Sequence, residues 1–127
     1  ICLGMQILAE FGTEDGDTKG LGLFPGKIER FSRTELGTLK LPHIGFNAVV
    51  PSPTSRLFKG ITGPADFYFV HSYGLRTDHL PAADCGLCRY GSEFIACYEY
   101  GNIFATQFHP EKSQTNGLIL LRNFLLT

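Results

Sequence analysis

Apolar and polar positions change their period several times along the chain, and each change marks an element. From Gly4 to Phe11 the apolar residues fall at 5, 7, 8 and 11, a helical spacing, and Gly12 is a natural stop. The polar, glycine-punctuated run TEDGDTKG over 13–20 predicts a surface loop. Alternation then takes over. Lys27-Ile-Glu-Arg-Phe31 predicts a short strand, and Leu41–Asn47 predicts a turn into a second strand through Ala48-Val-Val50, ended by Pro51 and Pro53. One helical turn is expected over Ser55–Gly60. Asp66–Tyr73, DFYFVHSY, is dense in aromatic and β-branched residues and gives the strongest strand signal. Phe94–Tyr100 and Ile103–Phe108 flank Gly101-Asn102 and predict a hairpin. Beyond Pro110, Ser113 can cap a final helix to about Leu126, with Leu118, Leu121, Phe124 and Leu125 on its inner side.

The order is helix, many strands, helix, with no internal repeat, linker or low-complexity tract. By itself that order reads as α+β; preceded by βα units it reads as α/β. The first residues favour the second reading. Ile1 reads as the last residue of a buried strand, which places Cys2 at a strand-to-helix turn, where such folds present a reactive group.

Composition narrows the function classes. The 127 residues are 43% hydrophobic and 18% charged with a net charge of −1, the profile of one ordinary globular domain. Near-neutral charge without a basic stripe argues against nucleic acid as the main partner. No apolar run reaches the ~18–20 residues that cross a bilayer, so no membrane role is expected. Cys2, Cys85, Cys88 and Cys97 are expected as free thiols in a reducing, cytoplasmic setting. Cys85-Gly-Leu-Cys88 has the spacing of half a zinc site, but no second such pair exists and His79 is the nearest histidine. It reads as a loop with two thiols, and no metal or other cofactor is expected.

The chemistry-bearing residues are Cys2 and the stretch Thr106-Gln-Phe-His-Pro-Glu-Lys-Ser113. A strand delivers His109 to its end, Pro110 turns the chain, and Glu111 follows two residues after the histidine. A thiol nucleophile needs a base, and that base needs an acceptor that fixes its tautomer. Cys2, His109 and Glu111 supply these three roles. The positive end of the following helix favours a thiolate at Cys2, and Leu3 can offer its backbone N–H to an oxyanion.

CLGMQ with a distant HPEKS resembles the class I, triad-type glutamine amidotransferases, which have a flavodoxin-like α/β fold. Gly20-Leu-Gly-Leu-Phe-Pro-Gly26, Pro42-His-Ile-Gly-Phe-Asn47 and Tyr68-Phe-Val-His-Ser-Tyr73 bring the likeness nearest to the glutaminase subunits of imidazole glycerol phosphate synthase, in histidine biosynthesis. The resemblance implies that Cys2 attacks the side-chain amide of glutamine, His109 shuttles the proton and Glu111 orients His109. It implies that Gln6 and the segment His71, Ser72 and Tyr73 bind glutamine beside Leu3 and Gly4. It also implies a heterodimer in which ammonia passes to a (β/α)8-barrel cyclase facing Phe46, Asn47, Tyr68 and Lys112. The family usually carries Trp at the position of Phe46.

Class I relatives place several βα units ahead of the nucleophile, including a glycine-rich loop with a second oxyanion donor. Residues 1–127 are therefore expected to be the C-terminal part of an amidotransferase domain, N-terminally truncated at the nucleophile elbow and weakly active alone. Three other readings stay open on the same residues. One is a paralogous glutaminase that supplies ammonia for amination of a surface-polysaccharide sugar. Another is a silent module that only binds its partner, and the last is a cysteine peptidase.

Overall fold

The aromatic run that signals a strand forms β5 (Ala65–His71), paired antiparallel with β4 (His43–Val50) from His43↔His71 to Val49↔Ala65 in this computed structural model, which describes residues 1–78 and 84–127. Period-2 alternation decides what each face carries. Phe67, Phe69 and His71 are buried on one side, while Tyr68 lies on the other with its ring edge-on to Phe46 at 5.5 Å. The strand begins at His43 rather than Ala48, because the expected turn residues 43–47 are already held by the β5 ladder.

The remaining strands are β1 (Ala9–Gly12), β2 (Thr18–Lys19), β3 (Phe24–Arg30), β6 (Tyr73–Arg76), β7 (Asp84–Tyr90), β8 (Ser92–Tyr100) and β9 (Ile103–Thr106). They form one nine-stranded sheet in the order β2-β1-β3-β6-β8-β7-β4-β5, with β9 added on β8. The β1–β3 pair is parallel and every other pair is antiparallel. The architecture is mixed α/β. Two buried clusters form, and β8 feeds both cores: Phe94 and Ala96 join Phe31, Phe67, Phe69, Phe108 and Leu120, while Ile95 and Tyr98 join Met5, Ala9, Phe24 and Leu75. The predicted β8–β9 hairpin turns at Gly101, with φ of 59°.

Several elements differ from their sequence reading. The first helix, α1, spans Leu3–Leu8 and yields to β1 at Ala9, three residues before the expected stop. Its last turn is taken over by the segment after the polar loop: Leu21 and Leu23 donate to the carbonyls of Ile7 and Leu8, and Gly20 and Gly22 to those of Glu10 and Ala9. Gly20 permits this close approach, since a Cβ there would lie 2.0 Å from the Ala9 carbonyl oxygen. Within that loop, Thr18–Lys19 pairs with β1. Ser55–Gly60 makes turns rather than a helix, held by the buried Glu99, whose carboxylate accepts from the Ser55 hydroxyl and the Arg56 and Leu57 amides. A short helix not anticipated, α2 (Arg33–Leu36), begins with a reciprocal Ser32–Glu35 capping box.

The last helix, α3 (Gln114–Leu125), lies where expected but is rotated about its axis. Gly117, Leu120 and Asn123 are buried, whereas Leu118 is 68% and Leu125 80% exposed and Phe124 is half exposed. The cause is tertiary. Gly117 packs on the Pro110 carbonyl, which a Cβ would approach to 1.8 Å, and the Asn123 amide donates to the carbonyls of Leu57 and Lys59 at 2.8 and 2.7 Å. Cys85 and Cys88 lie on strand β7 rather than in a loop, packed into opposite cores across a register shift. All four cysteines are free, and no cluster of His, Cys, Asp and Glu among the described residues could hold a metal. His79 lies outside the described residues.

Candidate active site

Cys2 occupies a sharp elbow. Its φ of 47° and ψ of −110° lie outside the regions ordinary side chains adopt, a strain of about 1–3 kcal/mol that persists only where surrounding contacts enforce it. Those contacts come from both sides: the Cys2 amide donates to the Thr106 carbonyl at 2.7 Å, at the end of β9, and the Cys2 carbonyl accepts from Gln6 in α1. The bond to Thr106 ties the elbow backbone to the end of β9. Leu3 is exposed at the helix start, where the first N–H groups have no helical acceptor behind them. A Cβ at Gly4 would meet nothing within 4 Å, so the space beside that N-terminus is open.

His109 arrives from the other direction. The chain leaving β9 passes along β5, where the His109 amide donates to the Tyr68 carbonyl at 2.9 Å, and Pro110–Lys112 then forms one 3-10 turn. Ser113 fixes that turn: its hydroxyl donates to the His109 carbonyl at 2.6 Å and accepts from the Tyr68 amide at 2.9 Å. The hydroxyl is thereby occupied, and although Ser113 stands at the start of α3 it makes no side-chain cap. The turn brings Glu111 back onto the histidine, with Nδ1 and Oε1 2.7 Å apart. Burial pushes the Glu111 carboxyl up, but the His109 hydrogen bond and neighbouring positive groups outweigh it and hold the carboxyl below its ordinary range. Glu111 is therefore an ionised acceptor, Nδ1 carries the hydrogen, and Nε2 is left as the basic nitrogen. That Nε2 is buried and has no hydrogen-bond partner among the described residues.

Cys2 and His109 flank the same strand. The Cys2 sulfur lies 3.9 Å from the Val70 carbonyl, and His109 is paired at Tyr68, two residues or about 7 Å along β5. In this conformation Sγ is not hydrogen-bonded to His109; its nearer polar neighbour is Gln107 Nε2 at 3.6 Å.

The other predicted residues divide. Gln6 lies against Gln107, its Nε2 donating to the Tyr73 carbonyl at 3.2 Å and to Gln107 Oε1 at 3.0 Å. His71 points away into the core: Nδ1 donates to the Tyr73 carbonyl at 2.7 Å and Nε2 meets His43 Nδ1 at 2.9 Å. Burial pushes His71 down to about 4 against the opposing hydrogen bond to the Tyr73 carbonyl, and burial, with a second imidazole at His71 that disfavours charge, pushes His43 down to about 3. Ser72 lies between β5 and β6, its carbonyl accepting from the Phe31 amide. Phe46, Tyr68 and Lys112 share one outer face, the Lys112 ammonium standing over the Tyr68 ring at 5.8 Å. Asn47 does not join them. Its amide faces the other side of β4 and donates to the Arg89 carbonyl at 3.0 Å and His43 Nε2 at 3.3 Å. Sequence reasoning missed His43 and Gln107. His43 stands opposite His71 once the strands are aligned, and Gln107 sits one alternation from His109, signals that only a known register makes useful.

The other thiols lie on strands β7 and β8. Burial, with the Asp84 charge, pushes Cys85 up to about 11; burial pushes Cys88 up to about 12, and Cys97 is raised well above the ordinary range by complete burial.

Comparison with known proteins identifies the family. The profile of the family described as glutamine amidotransferase class-I matches residues 1–127. The chain is similar to imidazole glycerol phosphate synthase subunit HisH 1 of Parasynechococcus marenigrum, at 46% identity over 98% of this chain and 60% of that protein. It is also similar to the HisH subunits of Chromobacterium violaceum (46% identity, 98% of this chain, 59% of the relative) and Desulfitobacterium hafniense (45%, 98% and 56%). The chain thus spans less than two thirds of the length of these relatives. With the family profile matched from end to end, the chain belongs to the class I glutamine amidotransferases.

Proposed function

We propose that the protein hydrolyses glutamine to glutamate and ammonia through a thioester on Cys2, and that the ammonia is used by a cyclase partner in histidine biosynthesis. The observation that carries the reading is the buried His109 Nε2, without a partner among the described residues and held as a base by Glu111, set against β5 at Tyr68 two residues from the Val70 carbonyl that the Cys2 sulfur faces. Membership of the family and the likeness to the HisH subunits support the choice of substrate and pathway.

In the first half-reaction His109 Nε2 takes the Cys2 thiol proton, and the sulfur attacks the side-chain carbonyl carbon of glutamine. The developing oxyanion is met by the exposed N–H at Leu3, a donor type whose removal slows such reactions about 10²–10³-fold. The proton passes from His109 to the departing nitrogen, the C–N bond breaks, and ammonia leaves a γ-glutamyl thioester. In the second half His109 takes a proton from water, the hydroxide displaces sulfur to release glutamate, and the proton returns to Cys2. Gln6, Ser72 and Tyr73 line the substrate side, with His71 behind them holding the Tyr73 carbonyl.

The partner is a (β/α)8-barrel cyclase docking over Phe46, Tyr68 and Lys112, beside the turn that carries His109 and Glu111. Free thiols suit a reducing cytoplasm. The test is glutamine hydrolysis by the full-length protein with and without a histidine-pathway cyclase subunit carrying its ligand. Strong stimulation that Cys2→Ala abolishes is expected. Cys2-dependent hydrolysis indifferent to that subunit would overturn the pathway and favour the sugar-amination paralogue, and no hydrolysis in either setting would overturn the enzymatic reading.

A further inference from the structure

We infer that Gln107 is a positioning residue for Cys2: it donates a side-chain N–H to the reacting sulfur, in an orientation dictated by the Tyr73 carbonyl through Gln6. The inference rests on Cys2 being the reacting group.

The direction of every hydrogen bond in this chain follows from one atom. A backbone carbonyl oxygen only accepts, so the Gln6 atom 3.2 Å from the Tyr73 oxygen must be the NH2 nitrogen. The same nitrogen faces the Gln107 carboxamide at 3.0 Å, so the atom there must be the Gln107 oxygen. The remaining Gln107 atom, 3.6 Å from Cys2 Sγ, is therefore an NH2 group and can only donate. Turning the Gln107 amide over would set two NH2 groups against each other, and turning Gln6 as well would set its oxygen against the Tyr73 carbonyl. The carbonyl is itself held from behind, because His71 Nδ1 donates to it at 2.7 Å. With that hydrogen on Nδ1, His71 Nε2 accepts from His43 Nδ1, and His43 Nε2 accepts from the Asn47 amide.

Gln107 is fully buried, and its backbone amide is spent on the Ala96 carbonyl, so the side chain has little freedom to turn. A hydrogen bond of this kind strengthens when the acceptor becomes charged, which is the state in which the sulfur attacks. The segments packed around Cys2 carry few competing groups: α1 has no titratable side chain, the end of β5 has His71, and the run Thr106–Glu111 has His109 and Glu111.

The readout is the rate at which iodoacetamide alkylates Cys2 at fixed pH in the full-length protein, resolved by peptide mass spectrometry, with Cys85 as internal monitor of the fold. Gln107→Met keeps volume and removes the donor; Gln107→Glu keeps the shape and the acceptor facing Gln6 and also removes it. Both should slow alkylation of Cys2 about tenfold, as expected for loss of one hydrogen bond to a charged acceptor, with Cys85 unchanged. A packing role predicts the opposite sign, because loosening the floor beneath a half-buried thiol exposes it. Equal or faster alkylation in a folded variant overturns the inference. If neither variant folds, the unsubstituted protein decides. Its Gln107 carboxamide proton facing Sγ should resonate downfield of its geminal partner and lose that displacement in Cys2→Ala; a proton pair indifferent to Cys2→Ala overturns the inference. Neither readout needs glutamine turnover, so failure of the glutaminase reading and failure of this one are separate results.

Discussion

Two histidine sites lie at the same end of the sheet and solve the problem of a buried imidazole in opposite ways. In the His43–His71 pair the nitrogens have partners, and the rings stack among Phe69, Tyr90 and Phe94. At His109 one nitrogen is satisfied by Glu111 and the other is buried with none. A buried polar atom left unpaired lowers stability by about 1–3 kcal/mol, so a fold keeps one where the empty position has a use. The satisfied pair is framework; the unsatisfied nitrogen is the one the proposed chemistry uses.

That contrast can be broken by substitution. Replacing His109 with Ala should lower glutamine hydrolysis at least about 10³-fold with little loss of thermal stability, since it removes a base and a buried unsatisfied atom together. Steady-state kinetics beside a melting curve reads both, and a large drop in Tm with residual activity would mean His109 is framework too. Glu111→Gln keeps the shape but not the charge that stabilises the imidazolium, and should cost about 10² in kcat with KM nearly unchanged.

His43→Leu should invert the pattern. It strands His71 Nε2, and denaturant unfolding should show about 1–3 kcal/mol lost, with hydrolysis by the folded fraction reduced less than tenfold. The pair also sets an acid limit. Both folded values, about 3 and about 4, lie below the 6.5 of an exposed imidazole, so the unfolded chain binds more protons as pH falls. Stability is therefore intact above pH 6.5 and is lost as pH drops toward 4 and then 3. Denaturation across pH 7 to 4 measures the slope, and His43→Leu should flatten it; an unchanged slope would show that other groups govern acid unfolding. The smallest effect is a gain. Cys2→Gly relieves a positive φ and should raise stability by up to about 1 kcal/mol while abolishing hydrolysis. A loss of stability there would mean that the elbow is not strained.

Much of this was legible beforehand. The aromatic run 66–73, the Gly101-Asn102 hairpin, the final helix and the trio of Cys2, His109 and Glu111 all carry local signals: side-chain period, turn residues, and a donor and acceptor two residues apart. The α2 capping box was legible as Ser32-Arg-Thr-Glu35 and went unread. The early end of α1 was not legible, because carbonyls that would continue the helix are taken by amides 10 to 15 residues further on. Nor was the inner face of α3, where Gly117 and Asn123 displaced leucines from contact for reasons located on Pro110, Leu57 and Lys59.

The residue types available for chemistry, and the local periods that place them at element ends, are legible in sequence because both depend on neighbours a few positions away. Which imidazole nitrogen stays open, which way each amide points and which residues stand behind Cys2 follow from three-dimensional packing. His43, His71 and His109 have the same side chain and the same ordinary pKa. What separates them is whether a partner 28 residues away fills a ring nitrogen or leaves it open, and hydrogen-bond direction of that kind is fixed by register, not by sequence.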